Sequence, residues 1–181
     1  HISYEIENYE ELCKETISNG DSYILPMINY RTPNYKELCK LAVQNNIKRL
    51  GDVSPKAKDY YEICKYALEI KNNKRHLIDL SYIDDTFLTK EQYNHICEIA
   101  VMANGKNIDD IDINHPRYFE LCKHAMIQAP EYYPTICKHF NQEQRTELYN
   151  IAIHYSPMVL IYIPEELRTL EHYNIAIKQD S

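Results

Sequence analysis

Hydrophobic and polar positions recur along this chain with a period close to 25 residues. Most repeats carry a Tyr, a Cys four residues later and an Ala three residues after the Cys, a spacing that places apolar side chains on one face of an α-helix. The steps between successive anchor positions are 26, 25, 33, 25, 27 and 24 residues. Each repeat is therefore predicted to open with an amphipathic helix. The anchors are Cys13, Cys39, Cys64, Cys97 and Cys122, followed by Tyr149 and Tyr173 in place of Cys.

A second apolar pair follows eleven and fourteen residues after most anchors and predicts a short helix of about two turns. A helical hairpin of this size cannot bury its apolar face alone, so neighbouring repeats must stack into a continuous core. The pattern predicts an all-α fold, a solenoid-like array of about six and a half helix-turn-helix repeats. The pairs are Ile24 with Met27, Leu50 with Val53, Ile108 with Ile111, Tyr133 with Ile136, and Leu160 with Ile163.

We interpret residues 1–181 as one helical-repeat domain. The third repeat is longer than the others, with about two extra residues near Asn72 to Lys74 and about six across Asp84 to Thr89. This growth is either a tolerated loop or a functional insertion. The last repeat stops early, so we expect either a cap or an open end through which the chain associates with itself. The repeats span approximately residues 7–32, 33–58, 59–89, 90–115, 116–141 and 142–167, with a partial repeat over 168–181.

Residues suited to begin a helix precede five of the predicted helices. Side-chain acceptors at the N-cap, Pro at the first helical position and Gln at the third are the expected chemistry. These signals are Thr32 before Pro33, Asp59, Thr89 with Gln92, His115 before Pro116, and Asn141 with Gln144.

The order of Ala42-Val43, Leu50, Val53-Ser54 and the helix of Cys64 resembles a known short repeat. That repeat, of unknown function, recurs in arrays in proteins of giant viruses of amoebae and of intracellular bacteria. The resemblance covers nearly the whole chain. It implies a helical array, no established catalytic residues, and a viral, host-facing interaction role in the cytoplasm of the host cell.

Charge and cysteine usage narrow the partners. The net charge of −7 argues against a nucleic-acid partner, because domains that bind nucleic acid normally present clustered Lys and Arg. The five anchor Cys share one packing position, which favours reduced thiols in a cytoplasmic protein over a disulfide framework. No apolar run is long enough to span a membrane, so we expect no membrane partner.

The residues typical of catalytic and metal sites are better explained as structural. Cys122 with His124 and Cys137 with His139 have only one residue between ligands, which is too close for a zinc site on a helix. An anchor Cys packed in a core stripe is a poor nucleophile. The acids around Ile111 alternate with Ile108, Ile111 and Ile113, which we interpret as a buried helical face beside solvated carboxylates. We predict no catalytic residue, no metal and no cofactor.

Two surface features remain as binding candidates. Glu and Lys recur three residues apart opposite the core stripe, as in Glu37 with Lys40, and predict a charged ladder, which is either a solubility surface or a docking strip. Tyrosines outside the anchor register offer interface area at low entropic cost. The predicted function is a non-catalytic protein–protein interaction scaffold for a protein or peptide; the alternatives are a single-stranded nucleic-acid binder and an accessory domain of a larger enzyme. The candidate binding residues are Tyr30, Tyr61, Tyr66, Tyr82, Tyr132, Tyr155 and Tyr162.

Overall fold

The computed structural model describes residues 8–70 and 79–179. Helices make up the regular structure of this part of the chain, and no β-strand occurs in it. The all-α prediction is therefore confirmed for the described residues. The α-helices are α1 (Tyr9–Ser18), α2 (Tyr35–Asn45), α3 (Tyr60–Glu69), α4 (Lys90–Ala103), α5 (Tyr118–Gln128), α6 (Tyr133–Ile136), α7 (Gln142–Ile153) and α8 (Leu170–Gln179).

The predicted second elements are present, mostly as 3₁₀-helices. Six residues hold too few hydrogen bonds to nucleate a stable α-helix, whereas the tighter 3₁₀ turn closes bonds over three residues. One shorter 3₁₀-helix, Asp85–Phe87, lies in the insertion predicted across Asp84 to Thr89, while the insertion near Asn72 to Lys74 falls outside the described residues. The six-residue 3₁₀-helices are Ser22–Met27, Ile47–Asp52, Gly105–Asp110 and Pro157–Tyr162.

An extended residue separates the two helices of several repeats. Asn46 and Asn104 both have φ near −150°, and each side-chain oxygen accepts the backbone N–H two residues on, from Lys48 and Lys106, at 3.1 Å. The same residue thus ends the α-helix and caps the 3₁₀-helix. This capping interaction fixes the direction of the second helix in the second and fourth repeats.

The first repeat has one more residue in its connection. Gly20 takes φ +98°, and the N–H groups of Gly20 and Asp21 donate to the carbonyls of Ile17 and Thr16, which closes a Schellman motif. The buried pair is consequently Leu25 with Ile28. The prediction of Ile24 with Met27 is wrong by one position, because the extra turn residue shifts the register and leaves Met27 68% exposed.

The other predicted pairs are buried with one exception. Leu50 with Val53, Ile108 with Ile111, and Tyr133 with Ile136 are all buried. In the sixth repeat Ile163 is buried as predicted. Its predicted partner Leu160 is only half-buried, and Val159 is buried instead.

The predicted helix starts are present in some repeats and absent in others. Asn141 with Gln144 forms a full capping box, and Thr89 with Gln92 makes the same pair of bonds, at 3.0 and 3.2 Å. Thr32 and His115 are not N-caps, because their carbonyls accept from the N–H three residues on and form a tight turn before the α-helix begins. The His115 side chain is nevertheless an acceptor, since its Nδ1 accepts the N–H of Arg117 at 3.1 Å. Asp59 stands at the N-cap of α3 but makes no side-chain cap bond.

The chain divides into two compact units, His1–Ile99 and Ala100–Ser181. In the first unit α1 packs against α2, and α2 packs against both α3 and its own 3₁₀-helix. In the second unit α5 packs against α7, and α7 packs against α8. The interpretation of residues 1–181 as one domain stays a prediction.

The predicted core stripe is confirmed from α1 to α7. All five anchor Cys are buried, as is Tyr149 in the anchor position of α7. On α8 the stripe is open instead: Tyr173 is 41% exposed and Ile177 is 64% exposed. Tyr173 in the anchor position of α8 is therefore not a core residue, since no described residue encloses that side of the helix. The Ala positions, fully buried throughout, are Ala42, Ala67, Ala100, Ala125 and Ala152.

Candidate binding surfaces

In the second and third repeats, the Tyr that opens the repeat connects its two elements. The hydroxyl of Tyr35 accepts the backbone N–H of Ser54 at 3.0 Å, and the hydroxyl of Tyr60 accepts that of Asp84 at 2.8 Å. Both donors directly follow the residue that ends the second helix, Val53 before Ser54 and Ile83 before Asp84. The Tyr also hydrogen-bonds the anchor thiol one turn along its own helix, as for Tyr35 with Cys39. Tyr and Cys therefore recur together for a structural reason.

The anchor thiols are poor nucleophiles. Burial raises the pKa of Cys39, Cys64 and Cys122 to about 12, and a hydrogen bond from the neighbouring Tyr opposes this only in part. Burial likewise raises the pKa of Cys97 to about 11. Since the thiolate is the reactive form, these groups are unreactive at neutral pH. All six cysteines of the chain are free, and only Cys137 is partly exposed.

The acidic cluster after Ile108 does not form a metal site in the structure. Asp112 uses one carboxylate oxygen to accept both N–H groups offered by Asn114, at 2.8 and 2.9 Å. Across the described residues, no three His, Cys, Asp or Glu side chains come together as metal ligands. Ile111 is buried, but Ile113 is 53% exposed, so the interpretation of one continuous buried isoleucine face is wrong at its last position.

Three of the predicted Glu and Lys pairs form ion pairs on the exposed sides of the helices, and their alignment into a charged ladder stays a prediction. Within single helices, the Lys nitrogen lies 3.3 Å from the Glu oxygen in Glu37 with Lys40, and 4.0 Å from it in Glu62 with Lys65. Lys123 of α5 bridges two helices, at 3.0 Å from Glu120 and 2.6 Å from Glu147 of α7. These carboxylates raise the pKa of Lys123. The charge of these three lysines is therefore neutralised by neighbours.

A cleft of about 730 Å³ lies across α1, α2 and α3 of the first unit; we refer to it as the helix cleft. Its apolar residues are Leu38, which is buried, and Leu41, which is half-buried. Tyr66 of α3 lies at one side with the Lys40 ammonium 5.3 Å from its ring centre. The polar lining carries both signs of charge and consists of Glu10, Glu11, Lys14, Asn34, Glu37, Lys40 and Gln44.

Of the seven candidate tyrosines, Tyr66 lies in this cleft, and its neighbour Tyr61 contacts α4. The Tyr61 hydroxyl lies 2.5 Å from Nδ1 of His95, and the Lys65 ammonium sits 5.3 Å from its ring centre. Tyr61 is half-buried and therefore has little free area for a partner.

The remaining candidates are dispersed. Tyr30 lies beside Arg31, at 5.6 Å from guanidinium carbon to ring centre, and lines a second cleft. Tyr82 is half-buried next to Gly51, where an added methyl group would come within 3.5 Å of its ring. In the second unit Tyr132 is half-buried, while Tyr155 and Tyr162 are 55% and 48% exposed. Whether any of the seven binds a partner stays a prediction.

The second cleft, about 310 Å³, is lined by the turns that lead into α2 and α3; we refer to it as the basic cleft. Arg31, Lys36, Lys56 and Lys58 line it together with Thr32 and a single acid, Asp59. The sequence analysis missed this group. Arg31 and Lys56 each precede the opening Tyr of their repeats by four residues, so an alignment of repeats by that Tyr would have paired them.

Tyr23 is a further surface residue that sequence reasoning missed. It is 66% exposed, and the Arg49 guanidinium carbon lies 4.3 Å from its ring centre. Such a pair contributes modestly at an exposed site.

None of the described helices is both long enough and apolar enough to cross a bilayer. Comparisons with protein-family models, curated proteins and solved structures gave no match to this chain.

Proposed function

We propose that this chain is a non-catalytic protein-interaction module, built as a solenoid-like array of short helical repeats, that binds a peptide segment of a partner in the helix cleft. The observation that carries the proposal is the cleft itself, about 730 Å³ across three neighbouring helices. Grooves of this kind between helices are a common means of peptide recognition.

The lining of the helix cleft supports a peptide ligand. Leu38 and Leu41 provide apolar area, and Tyr66 adds an aromatic side chain of the type enriched at interface centres. Carboxylates and ammonium groups alternate around them, so a segment with both charges finds complementary partners. The cleft is therefore suited to a peptide with a central apolar residue and mixed flanking charge.

The anchor thiols support a module without catalysis. Each is buried and has a raised pKa, so none is a candidate nucleophile at neutral pH. Their recurrence is explained by packing and by the bond from the neighbouring Tyr.

The charge arrangement favours a protein partner over single-stranded nucleic acid. Lys40, Lys65, Lys106 and Lys123 all pair with Glu, within 4.0 Å. Paired lysines cannot form the continuous cationic track that follows a phosphate backbone. A host-facing role and a cytoplasmic location remain predictions from the resemblance.

Selection of peptides from a displayed random library on the full chain tests this proposal. The double variant Leu41→Ala/Tyr66→Ala removes apolar area from the helix cleft, and Tyr155→Ala removes an exposed aromatic elsewhere. Affinities of selected peptides are then measured by fluorescence polarisation on all three proteins. We expect the double variant to lose about tenfold or more in affinity, since two contacts of about 1 kcal/mol each are removed.

The Tyr155→Ala control should retain full affinity. Peptides that bind the wild type and the double variant equally would refute the helix cleft as the site. Failure to select any binder would refute the proposed function itself.

A further inference from the structure

We propose that the basic cleft binds a single phosphate or phosphate monoester group. The inference concerns a site separate from the helix cleft and does not depend on peptide binding there. It rests on three features of the described residues: unneutralised cations, a buried hydroxyl without a partner, and a helix start without a side-chain cap.

The first feature is the charge. Arg31, Lys56 and Lys58 form no ion pair within residues 8–70 and 79–179, and the remaining cation, Lys36, lies 3.9 Å from Asp59. The cleft thus concentrates positive charge in a chain whose net charge is −7. A concave site with one sign of charge attracts and retains counter-ions of the other sign.

The second feature is Thr32, which lines the cleft and is only 3% exposed. Its hydroxyl oxygen is fully covered and has no hydrogen-bond partner within the described chain. A buried hydroxyl without a partner is destabilising, and Val would fill the same space without that cost. The corresponding position in the next repeat is Ala57, which shows that packing alone does not require a hydroxyl. Rotation of this side chain towards the cleft would let the hydroxyl donate to an anionic oxygen, which would supply the missing acceptor.

The third feature is the start of α2, whose first residues Tyr35 and Lys36 line the cleft. The N-cap residue, Asn34, makes no side-chain cap bond, because its amide group instead donates to the carboxylate of Glu10. The Tyr35 N–H already donates to the carbonyl of Thr32, so the positive end of the helix dipole offers the cleft its remaining N–H groups, without a side-chain acceptor. Phosphate groups are commonly bound at such ends.

The size of the cleft indicates one phosphate rather than a polymer. About 310 Å³ admits a phosphate group and a small part of its organic substituent. Guanidinium and ammonium groups suit the doubly charged monoester, which accepts several charge-assisted hydrogen bonds. Free phosphate and a phosphorylated side chain of a partner share this chemistry.

Amide chemical shifts of the full chain, followed by nuclear magnetic resonance during titration, test the inference. The probes are inorganic phosphate, a short phosphoserine peptide and the same peptide without phosphate. We expect shifts at residues 30–36 and 56–59 with the first two probes only. Tighter binding of the phosphopeptide would assign the source to a partner protein, whereas equal binding would assign it to free phosphate.

Two variants and a matched control separate a ligand site from general electrostatics. Lys56→Gln/Lys58→Gln should weaken phosphate binding about tenfold or more. Lys48→Gln/Lys90→Gln removes the same charge from exposed lysines outside the cleft and should leave the affinity unchanged.

Thr32→Val tests the buried hydroxyl. It should weaken phosphate binding several-fold while the thermal midpoint of the protein without ligand stays the same or rises. If the hydroxyl were purely structural, its removal would lower the thermal midpoint and leave the affinity for phosphate unchanged. Absence of shifts with both phosphate probes, equal losses in the two lysine pairs, or a response to single-stranded RNA alone would overturn the inference.

Discussion

At the scale of single residues, the recurring Tyr and Cys act as one structural pair. In the second and third repeats the Tyr hydroxyl accepts a backbone N–H from the connection after the second helix and also bonds the anchor thiol. Sequence periodicity predicted the stripe on which both residues lie, because apolar side chains spaced by helical turns must face a common core. It did not predict the hydroxyl bonds, since their partners Ser54 and Asp84 lie in connections whose conformation no periodicity encodes.

Removal of one such Tyr hydroxyl should lower the stability of the fold. Tyr60 is 3% exposed, and its hydroxyl accepts the N–H of Asp84 at 2.8 Å. In Tyr60→Phe this N–H loses its acceptor in a partly buried place, so we expect the free energy of unfolding to fall by about 1–2 kcal/mol. Urea unfolding followed by circular dichroism measures the change. Tyr155→Phe, at a 55% exposed position, should stay within about 0.5 kcal/mol of the wild type. Equal effects of the two substitutions would contradict this role of the hydroxyl.

The raised thiol pKa values also predict a loss of stability in alkali. An unfolded thiol ionises near its ordinary pKa of 9.0, whereas folded Cys39, Cys64 and Cys122 ionise only at about 12. The stabilisation is complete below pH 9.0 and is lost as the pH rises towards 12, because the unfolded state binds fewer protons in that range. Each such thiol contributes a slope of about 1.4 kcal/mol per pH unit.

Urea unfolding at a series of pH values between those limits measures the slope. Cys64→Ala carries one titrating thiol fewer and should show a shallower decline than the wild type. A decline that is equally steep in both proteins would show that the thiols are not its cause.

At the scale of elements, sequence reasoning located the helices better than their ends. The spacing of apolar residues correctly located α2, α3 and α5. However, α2 and α5 begin later than predicted, because backbone hydrogen bonds form tight turns at Thr32 and His115. The same limit explains the shifted pair in the first repeat. One glycine with positive φ added a residue to the connection, and hydrophobic spacing could not distinguish Ile24 from Leu25.

The contact between a 3₁₀-helix and the next α-helix gives an element-scale prediction. A methyl group on Gly105 would lie 3.1 Å from Cα and the carbonyl oxygen of Ala125, and 3.1 Å from Cβ of Gln128. Because two of these atoms are backbone, Gly105→Ala should lower the free energy of unfolding by about 1–3 kcal/mol. Thermal unfolding followed by circular dichroism measures it.

Gly51→Ala is the matched control for this contact. Its methyl group would meet only a ring carbon of Tyr82 at 3.5 Å, an ordinary contact distance, so the change should stay within about 0.5 kcal/mol. Equal stability of the Gly105→Ala variant and the wild type would contradict the close packing of the two elements.

At the scale of the whole molecule, the recurring apolar positions serve the core, and the clefts combine recurring with variable positions. The anchor Cys and the following Ala are buried. The helix cleft and the basic cleft join recurring residues, such as Glu37, Lys40 and Tyr35, with residues that vary between repeats, such as Tyr66 and Thr32. Composition could not predict these clefts, since each depends on which side chains two or three neighbouring turns bring together.

We propose that the repeated Tyr, Cys and Ala pack the helices together and take no part in any chemistry. Labelling of the native full chain with iodoacetamide at neutral pH, followed by mass spectrometry of its peptides, tests this claim directly. The account predicts that the partly exposed Cys137 is labelled first and that the buried Cys39, Cys64, Cys97 and Cys122 react only as fast as the protein unfolds. Labelling of any of these four at or above the rate of a free thiol would contradict it.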